Sequence, residues 1–319
     1  MARIAPHTLP PHWSEPAPGR FASLINGADP DGCRVALLGL PDDKGIALNR
    51  GRPGAAEGPA ALRRLLAKYG AAFDAKRAQA LSAHIFDAGD VEPHADSDPM
   101  IALERTHERV TEAAAALHER GLIVLGLGGG HDLTFPTARA LAQYSRRPIG
   151  GINLDPHLDV RETLGSGMPF RSLIEDQHLD PTRFTELGVA RFANAPEHVA
   201  YLQKRGGLIV LDDNFVRTEA EAVEAAFARA KGPDGKGAMF VSIDLDSLPA
   251  SVAPGVSAPN PLGVPIDAAL RLAERAGRDP CVKHFDIMEL SPPHDIDGRT
   301  VRVAALLLLH FIAGVEVRP

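Results

Sequence analysis

Residues 122–132 read Leu-Ile-Val-Leu-Gly-Leu-Gly-Gly-Gly-His-Asp, an apolar run that ends in three glycines and a histidine. Residues 239–243, Met-Phe-Val-Ser-Ile, form a second run that is apolar almost throughout. Strands that are apolar almost throughout are typical of a parallel sheet whose two faces are both covered by helices. These runs therefore predict a buried parallel sheet.

Eight β-rich runs recur along the chain and alternate with segments that carry apolar residues at helical spacing. The candidate strands are residues 35–40, 84–90, 122–127, 149–155, 185–189, 208–212, 238–244 and 282–287. The candidate helices are residues 59–69, 99–120, 196–205, 219–231, 265–275 and 299–313. This alternation predicts a three-layer α/β/α domain on an eight-stranded parallel sheet. A closed eight-stranded barrel shows the same alternation and is the alternative.

Residues 1–33 differ from the rest of the chain, because they are rich in proline and small polar residues and lack apolar periodicity. We expect them to form an N-terminal arm that lies over the surface. A chain of 319 residues is long enough for two domains at roughly 150 residues each. No linker or change of composition follows Arg34, however, so residues 34–319 are predicted to form a single domain.

The composition indicates a globular protein. Hydrophobic residues make up 45% of the chain, with 30 Gly and 27 Pro, which excludes disordered, collagen-like and low-complexity chains. The 34 Lys and Arg against 41 Asp and Glu give a formal net charge of −7. Nucleic acids and anionic membranes are bound through clustered Lys and Arg. Neither is therefore expected as the main partner.

The two cysteines, Cys33 and Cys281, cannot form a disulfide framework for a chain of this length, and we expect both to be reduced and packed. The N-terminus does not show the basic segment and apolar core of an export signal. The longest apolar run near the end, residues 304–312, is interrupted by His310 and is shorter than the roughly 20 residues that span a bilayer. We expect a cytoplasmic protein.

Chemistry is expected just after the predicted strands, since ligands bind at the carboxyl ends of strands in open α/β sheets. Residues 128–132, Gly-Gly-Gly-His-Asp, follow the run 122–127. Glycines permit a sharp turn or a close approach to a ligand, and His131 then begins the next element. A phosphate loop would continue with Gly-Lys and Ser or Thr, which this sequence does not. From this motif alone, His131 could cap a helix, pack in the core or bind a ligand.

Residues 155–159, Asp-Pro-His-Leu-Asp, end the run 149–155. In an extended chain Asp155, His157 and Asp159 lie on the same side. Unpaired carboxylates beside a buried strand are costly to desolvate, which favours metal ligation over a turn-forming surface loop.

Residues 242–246, Ser-Ile-Asp-Leu-Asp, end the run 238–244. Asp244 and Asp246 on one side of a strand end repel each other unless a cation lies between them. Residues 248–259, rich in Pro and Gly, are predicted to form a rigid loop that shapes a pocket.

Together the three clusters offer six ligands, namely His131, Asp155, His157, Asp159, Asp244 and Asp246. Four carboxylates with two imidazoles suit manganese or a similar divalent ion better than a structural zinc, although nickel, cobalt and iron remain open. Six ligands exceed what one ion needs, so we predict two divalent metal ions per chain. Such a pair can lower the pKa of water toward neutrality and supply hydroxide to an electrophilic carbon. The predicted reaction is metal-assisted hydrolysis of a small-molecule substrate.

With these motifs in this order, the chain resembles the ureohydrolase family of arginases, agmatinases and formimidoylglutamases from about Arg34 to its end. The matching elements are residues 51–54 with 58–59, residues 155–159, residues 242–246 and residues 286–289. The resemblance implies a three-layer domain on an eight-stranded parallel sheet that binds a pair of manganese ions. It also implies a homo-oligomer, a trimer or a hexamer.

The resemblance also implies roles for the site residues. One metal would be held by His131, Asp155, Asp159 and Asp244, and the other by His157, Asp155, Asp244 and Asp246, with Asp155 and Asp244 bridging. Glu289 would face the amidine-type nitrogen of the substrate, because a cationic amidinium needs a counter-charge. Asp159 and Glu289 would be the catalytic carboxylates.

Within the family, several residues are similar to the formimidoylglutamase branch. They are Arg161, residues 166–170 and residues 191–194, whereas arginases have Asn at the place of Arg161 and His at that of Phe170. The implied reaction converts N-formimidoyl-L-glutamate to L-glutamate and formamide. The two carboxylates of this substrate suit Arg161 and Arg191 as anchors. The implied substrate-binding residues are Arg161, Ser166, Arg191, Asn194 and Glu289.

Two other functions are considered. A guanidino-compound hydrolase of the agmatinase, guanidinobutyrase or arginase type would release urea. A non-catalytic subunit of a mixed oligomer would be marked by the loss of ligands, and all six are present. Three residues depart from the family pattern: Pro156 replaces Ala between two ligands, Asp132 stands where Glu is frequent, and Met168 replaces Thr. We expect these changes to touch the pocket wall.

Overall fold

A ten-stranded sheet runs through the part of the chain that this computed structural model describes, residues 4–82 and 84–319. The strands of that part are β1 (Thr8–Leu9), β2 (Ile25–Asn26), β3 (Val35–Gly39), β4 (Phe73–Asp74), β5 (Gln79–Ala80), β6 (Ile85–Val91), β7 (Ile123–Leu127), β8 (Ile149–Leu154), β9 (Leu179–Val189), β10 (Leu208–Leu211), β11 (Met239–Asp244) and β12 (Val282–Met288). Its α-helices are α1 (Lys44–Leu48), α2 (Gly58–Leu66), α3 (Pro99–Glu119), α4 (Thr134–Ser145), α5 (Pro169–Glu175), α6 (Pro196–Lys204), α7 (Asp212–Arg217), α8 (Glu219–Lys231), α9 (Ile266–Arg278) and α10 (Arg299–Glu316). Strands β4 and β5 pair only with each other.

The main sheet is open and mostly parallel. Its strand order is β1-β6-β3-β7-β12-β11-β8-β9-β10, and β2 also pairs with β6. Only the pairing of β1 with β6 is antiparallel among the described strands of this sheet. The barrel alternative is therefore wrong, and all eight predicted strands are confirmed as β3 and β6 to β12.

The sheet nevertheless has two strands more than predicted, β1 and β2. Each has two residues, which is too short to show an alternating pattern in the sequence. Strand β9 also begins at Leu179, six residues before the predicted start at Thr185. Pro181 lies in this added part. Because proline cannot donate to a sheet ladder, its presence in the sequence argues against a central strand there.

Helices cover both faces of the sheet, as the three-layer prediction requires. Successive residues of a strand point to opposite faces. Leu125 accordingly packs in the cluster formed with α2 and α7 to α10, and the preceding Val124 packs in the cluster formed with α3. Helices α4, α5 and α6 pack on the same face as α3, around Phe184 and Phe240.

All six predicted helices are confirmed, and four more are present in the described residues: α1, α4, α5 and α7. The longest of these four is α4, which has twelve residues and contains Pro136 near its start. Proline is tolerated in the first turn of a helix, where its missing N–H needs no partner. None of the described helices is both long enough and apolar enough to cross a membrane.

The N-terminal segment extends the sheet as well as covering it. Strands β1 and β2 both pair with β6, and Phe21 is fully buried in the main core. The indole N–H of Trp13 donates to Oδ2 of Asp87 at 2.8 Å. Residues 4–33, the described part of the predicted arm, thus also join the sheet and the core, which the sequence did not predict. Cys33 and Cys281 are free thiols, as predicted.

Candidate metal centre

Four neighbouring strands end at one place and bring the predicted site together. Strands β7, β12, β11 and β8 lie side by side and run parallel. The residues at or just beyond their carboxyl ends include His131, Glu289, Asp244 and Asp155. Residues that are more than 100 positions apart in the chain thus meet at one edge of the sheet.

The backbone after β7 is crowded, which explains why residues 128–130 are glycines. The N–H groups of residues 128–130 donate to three backbone carbonyl groups at 2.8–3.1 Å. A Cβ atom on Gly129 would lie 2.3 Å from the carbonyl oxygens of Leu40 and Asp42, which no side chain tolerates. These N–H groups are occupied, so the run does not cradle a phosphate. Instead it leads into a short 3₁₀ turn that begins at His131.

The first group of candidate ligands surrounds the imidazole of His131. Its Nδ1 atom lies 3.0 Å from Oδ2 of Asp155, 3.0 Å from Oδ2 of Asp159 and 3.1 Å from Oδ2 of Asp244. His131 and Asp155 have no exposed surface, and Asp244 is buried. Ligand atoms of His131, Asp155 and Asp244 lie close enough together to hold one metal ion.

The second group shares Asp155 with the first and adds His157 and Asp246. Nδ1 of His157 lies 3.3 Å from Oδ1 of Asp155 and 3.4 Å from Oδ2 of Asp246. The side chain of His157 is one-third exposed, at 33%, so this group is nearer the solvent than the first. All six predicted ligands therefore meet, and the two oxygens of Asp155 face different groups.

The donors fit a pair of cations. Nδ1 of His131 and Oδ1 of Asp246 are buried and have no hydrogen-bond partner among the described residues. Burial and the negative charge of Asp246 raise the pKa of Asp244 well above its usual range, and burial raises the pKa of Asp246 to about 6. Divalent ions would stabilise the ionised carboxylates and use the unpartnered atoms, as is usual for buried carboxylates that share a site.

A buried hydrogen-bond network holds His131 from behind. Nε2 of His131 lies 3.0 Å from Oγ of Ser242, and this hydroxyl donates to Oδ1 of Asp286. Oδ2 of Asp286 accepts from Oγ1 of Thr134 at 2.9 Å and lies 2.8 Å from Nε2 of His284. Such partners orient a ligand imidazole, so Nδ1 of His131 remains directed at the carboxylates.

The loop that carries Asp155, His157 and Asp159 is clamped by Asn194. The side-chain oxygen of Asn194 accepts from the N–H of Leu158 at 2.9 Å, and its Nδ2 donates to the carbonyl oxygen of Pro156 at 2.9 Å. Asp159 has a left-handed backbone, with φ at 44°, which is uncommon for a residue other than glycine. Glu289 has one too, with φ at 67°. Strained backbone of this kind clusters at functional sites.

Glu289 is the buried carboxylate beside the first group. Only 2% of its surface is exposed, and its Oε1 accepts a hydrogen bond from the backbone N–H of His131 at 3.0 Å. Its Oε2 has no partner among the described residues. Burial, together with the negative charge of Asp244, raises the pKa of Glu289 to about 8.

A cavity of 170 Å³ opens above these ligands. Its lining includes Arg161 and Ser166, two of the predicted substrate-binding residues. Nη1 of Arg161 donates to the side-chain oxygen of Asn49 at 3.1 Å, and Nδ2 of Asn49 donates to Oγ of Ser166 at 3.1 Å. Asn194 and Glu289 also line it.

The cavity differs from the sequence predictions in several residues. Arg191 is not among its lining residues; its guanidinium lies 5.0 Å from the ring centre of Phe192, itself 89% exposed. Asn49, Arg50 and His198 do line the cavity and were not predicted. Asn49 and Arg50 directly precede the matching segment 51–54, which was the available signal. Nothing in the local pattern marks His198, in the first turn of α6.

The residues expected to alter the pocket wall lie elsewhere. Asp132 is buried and lies 2.7 Å from Nε2 of His107, and Met168 is buried in the core beside α5. Neither is among the lining residues, and both side chains are buried. Pro156 has no N–H to donate, but its carbonyl oxygen accepts hydrogen bonds from the N–H of Ala190 and from Nδ2 of Asn194. These two bonds hold the loop despite the missing N–H.

The chain matches the arginase family over residues 33–314. It is 38% identical over 308 residues to a formimidoylglutamase of Ralstonia nicotianae, covering 92% of this chain and 87% of the relative. Among solved structures, it is similar to Trypanosoma cruzi formiminoglutamase, crystallised with two Mn²⁺ ions, with a TM-score of 0.85, 31% identity and coverage of 94% of this chain and 99% of that one. Bacillus subtilis formimidoylglutamase has a TM-score of 0.85 at 27% identity, with coverage of 94% and 93%.

Proposed function

Because the chain belongs to the arginase family, we propose that it is a binuclear-metal hydrolase that converts N-formimidoyl-L-glutamate to L-glutamate and formamide. One observation carries the proposal: Arg161 lines the same 170 Å³ cavity as Glu289 and five of the six proposed metal ligands. A cavity with ligands for cations at its base and a guanidinium in its wall suits a substrate with an amidine at one end and carboxylates at the other.

The proposed metal ligands are His131, Asp155, Asp159 and Asp244 for one ion and His157, Asp155, Asp244 and Asp246 for the other. Manganese is the proposed metal, since it favours carboxylate ligands with a minority of imidazole. A bound pair lowers the pKa of water and so makes a nucleophile available near neutral pH.

The protein's own residues then bind and orient the substrate. Glu289, which lines the cavity with Oε2 unpartnered among the described residues, faces the cationic amidinium as a counter-charge. Burial and Asp244 raise its pKa to about 8, and the positive charges of two bound ions and of the amidinium would lower that pKa and favour the ionised carboxylate. Hydrolysis forms a bond from water oxygen to the amidine carbon and breaks the bond from that carbon to the glutamate nitrogen. Oδ2 of Asp159, 3.0 Å from Nδ1 of His131, is placed to accept the proton that water releases and to return it to the leaving nitrogen.

Arg161 and Ser166 are proposed to hold the carboxylate end of the substrate. Asn49 bonds to both and keeps them at a fixed spacing. Asn194 supports the site indirectly by clamping the ligand loop. Arg191, the other anchor predicted from the sequence, lies against Phe192 and does not line the cavity, so we assign the carboxylate contacts to Arg161 and Ser166.

The test is a substrate panel on the manganese-loaded chain, in which formamide, urea and ammonia are measured separately. Formamide and glutamate in equal amounts from N-formimidoyl-L-glutamate are expected, with little urea from arginine, agmatine or guanidinobutyrate. Urea from one of these guanidino compounds without formamide would favour the alternative hydrolase. Full manganese binding with no turnover of any substrate would favour a non-catalytic subunit.

We also propose the domain division, location and assembly predicted from the sequence. Residues 1–33 form an N-terminal arm, whose described part pairs with β6, and residues 34–319 form a single metallohydrolase domain, in accord with a family match over residues 33–314. The protein is proposed to be cytoplasmic and to form a homo-oligomer, a trimer or a hexamer. Light scattering of the purified chain tests the assembly directly.

A further inference from the structure

Glu186 is a fully buried acidic residue that has no role in the proposed reaction. It lies in β9, one of the inner strands of the parallel sheet. A carboxyl group there loses its hydration and needs a hydrogen-bonding partner. Its Oε1 has none among the described residues, so the contacts of Oε2 decide what the side chain does.

The partner of Oε2 is Asn153 on the adjacent strand β8. The two residues stand opposite each other in the strand register, so their side chains project to the same face of the sheet. Nδ2 of Asn153 donates to Oε2 of Glu186 at 2.9 Å. Asn153 is also fully buried and precedes Asp155 by two residues.

The same amide reaches the metal centre. Nδ2 of Asn153 lies 3.3 Å from Oδ2 of Asp155, the carboxylate that belongs to both ligand groups. Oδ1 of Asp155 accepts separately from the backbone N–H of His157 at 2.6 Å. Each oxygen of Asp155 therefore has its own donor, and the two donors together fix the plane of the carboxylate.

We infer that Glu186 is a positioning residue for the metal centre: it holds the Asn153 amide so that Nδ2 is directed at the bridging carboxylate of Asp155. The inference rests on the proposed metal site. Burial and the negative charge of Asp155 raise the pKa of Glu186 well above its usual range, which favours the neutral acid. A glutamine would offer Asn153 the same acceptor oxygen and should preserve the contact.

The test compares Glu186→Met, which keeps the length of the side chain but removes the acceptor, with Glu186→Gln. Thr185→Val is the matched control, because Thr185 is buried in the same strand, points to the opposite face and has no partner for its hydroxyl among the described residues. Manganese affinity of the full chain is measured by calorimetry, and the melting temperature of the metal-free protein reports on folding.

We expect Glu186→Met to bind manganese about 10-fold more weakly, the low end of the loss when a direct partner of a metal ligand is removed, because Glu186 acts on Asp155 through Asn153. Glu186→Gln and Thr185→Val should stay within about threefold of the wild type. Unchanged affinity in Glu186→Met, or an equal loss in Thr185→Val, overturns the inference.

A second variant covers the case in which Glu186→Met does not fold. Asn153→Leu breaks the same link from its other end, and wild-type affinity in that variant overturns the inference as well. If both fold, the double variant should bind no more weakly than the weaker single one, because the two changes remove one shared link. A wild-type chain that binds no manganese would instead overturn the proposed function.

Discussion

The backbone N–H of His131 donates a 3.0 Å hydrogen bond to Oε1 of Glu289, although the two residues are 158 positions apart. The contact joins the end of β7 to the end of β12, two strands that are neighbours in the sheet. It leaves Oε2 of Glu289 without a partner among the described residues, beside a cavity that five of the six proposed metal ligands also line. The residue that starts the ligand set thus also orients the carboxylate proposed to face the substrate.

Replacing that carboxylate should affect turnover and leave the metals in place. Glu289→Gln retains an oxygen to accept from the N–H of His131 but loses the negative charge opposite the amidinium. We expect kcat for N-formimidoyl-L-glutamate to fall about 100- to 1,000-fold, comparable to other losses of transition-state charge stabilisation. Metal content, measured by plasma emission spectroscopy, should stay at the wild-type value. Near-normal turnover in this variant would remove Glu289 from the catalytic proposal.

The shared position of Asp155 predicts different metal contents for two similar variants. Asp155→Asn weakens both ligand groups, so we expect almost no manganese to remain after dialysis. Asp246→Asn alters only the second group, and about one ion per chain should stay with His131, Asp155 and Asp244. Manganese per chain is measured for both after identical reconstitution. Equal contents in the two variants would contradict a bridging role for Asp155.

The two arginines predicted as anchors should differ in importance. Arg161 lines the cavity and bonds to Asn49, whereas Arg191 lies against Phe192 outside it. Loss of a charge-assisted hydrogen bond costs about 1.5–3 kcal/mol, so Arg161→Gln should lower kcat/KM about 10- to 100-fold, mainly through KM.

Arg191→Gln serves as the matched comparison and should change kcat/KM by less than about threefold. Steady-state kinetics on the manganese-loaded variants measure both values. A larger loss in Arg191→Gln than in Arg161→Gln would mean that the 191–194 loop closes over the bound substrate.

The buried His118 is expected to lower the unfolding free energy of the protein as the pH falls. Burial, and to a smaller extent the nearby His284 and Lys283 of β12, lower the pKa of His118 to about 3. Its ring stacks on Tyr144 of α4, with centroids 5.9 Å apart. The unfolded chain takes up a proton below pH of about 6.5, whereas the folded chain resists it, so stability is lost as the pH falls through this range.

His118→Gln should remove this contribution. Relative to the variant, the wild type should lose about 2 kcal/mol of unfolding free energy between pH 8 and pH 5. Urea denaturation of the metal-free proteins at both pH values measures the difference, and groups common to both proteins cancel. If the difference in unfolding free energy between the two proteins were the same at pH 8 and at pH 5, His118 would take up its proton equally in the folded and unfolded chains, which would contradict this prediction.

The layers of the fold and the six proposed metal ligands could be predicted from the sequence. Strands such as 239–243 are apolar almost throughout because helices cover both faces, and that pattern is visible without the structure. Asp155, His157 and Asp159 lie within one five-residue segment after β8, so they are close for a local reason, although the segment bends at residues 156–157 and has a left-handed backbone at Asp159 instead of the extended form expected. Chemistry that depends on neighbours in the chain was therefore predictable.

The tertiary structure alone decided the contacts between distant segments. The strand order β7-β12-β11-β8 brings Glu289 to His131, and the pairing of β8 with β9 sets Glu186 against Asn153. Asn49 and His198 reach the cavity wall, whereas Arg191 does not. Such contacts follow from strand register and packing across more than 30 residues of intervening chain, and no local periodicity encodes them.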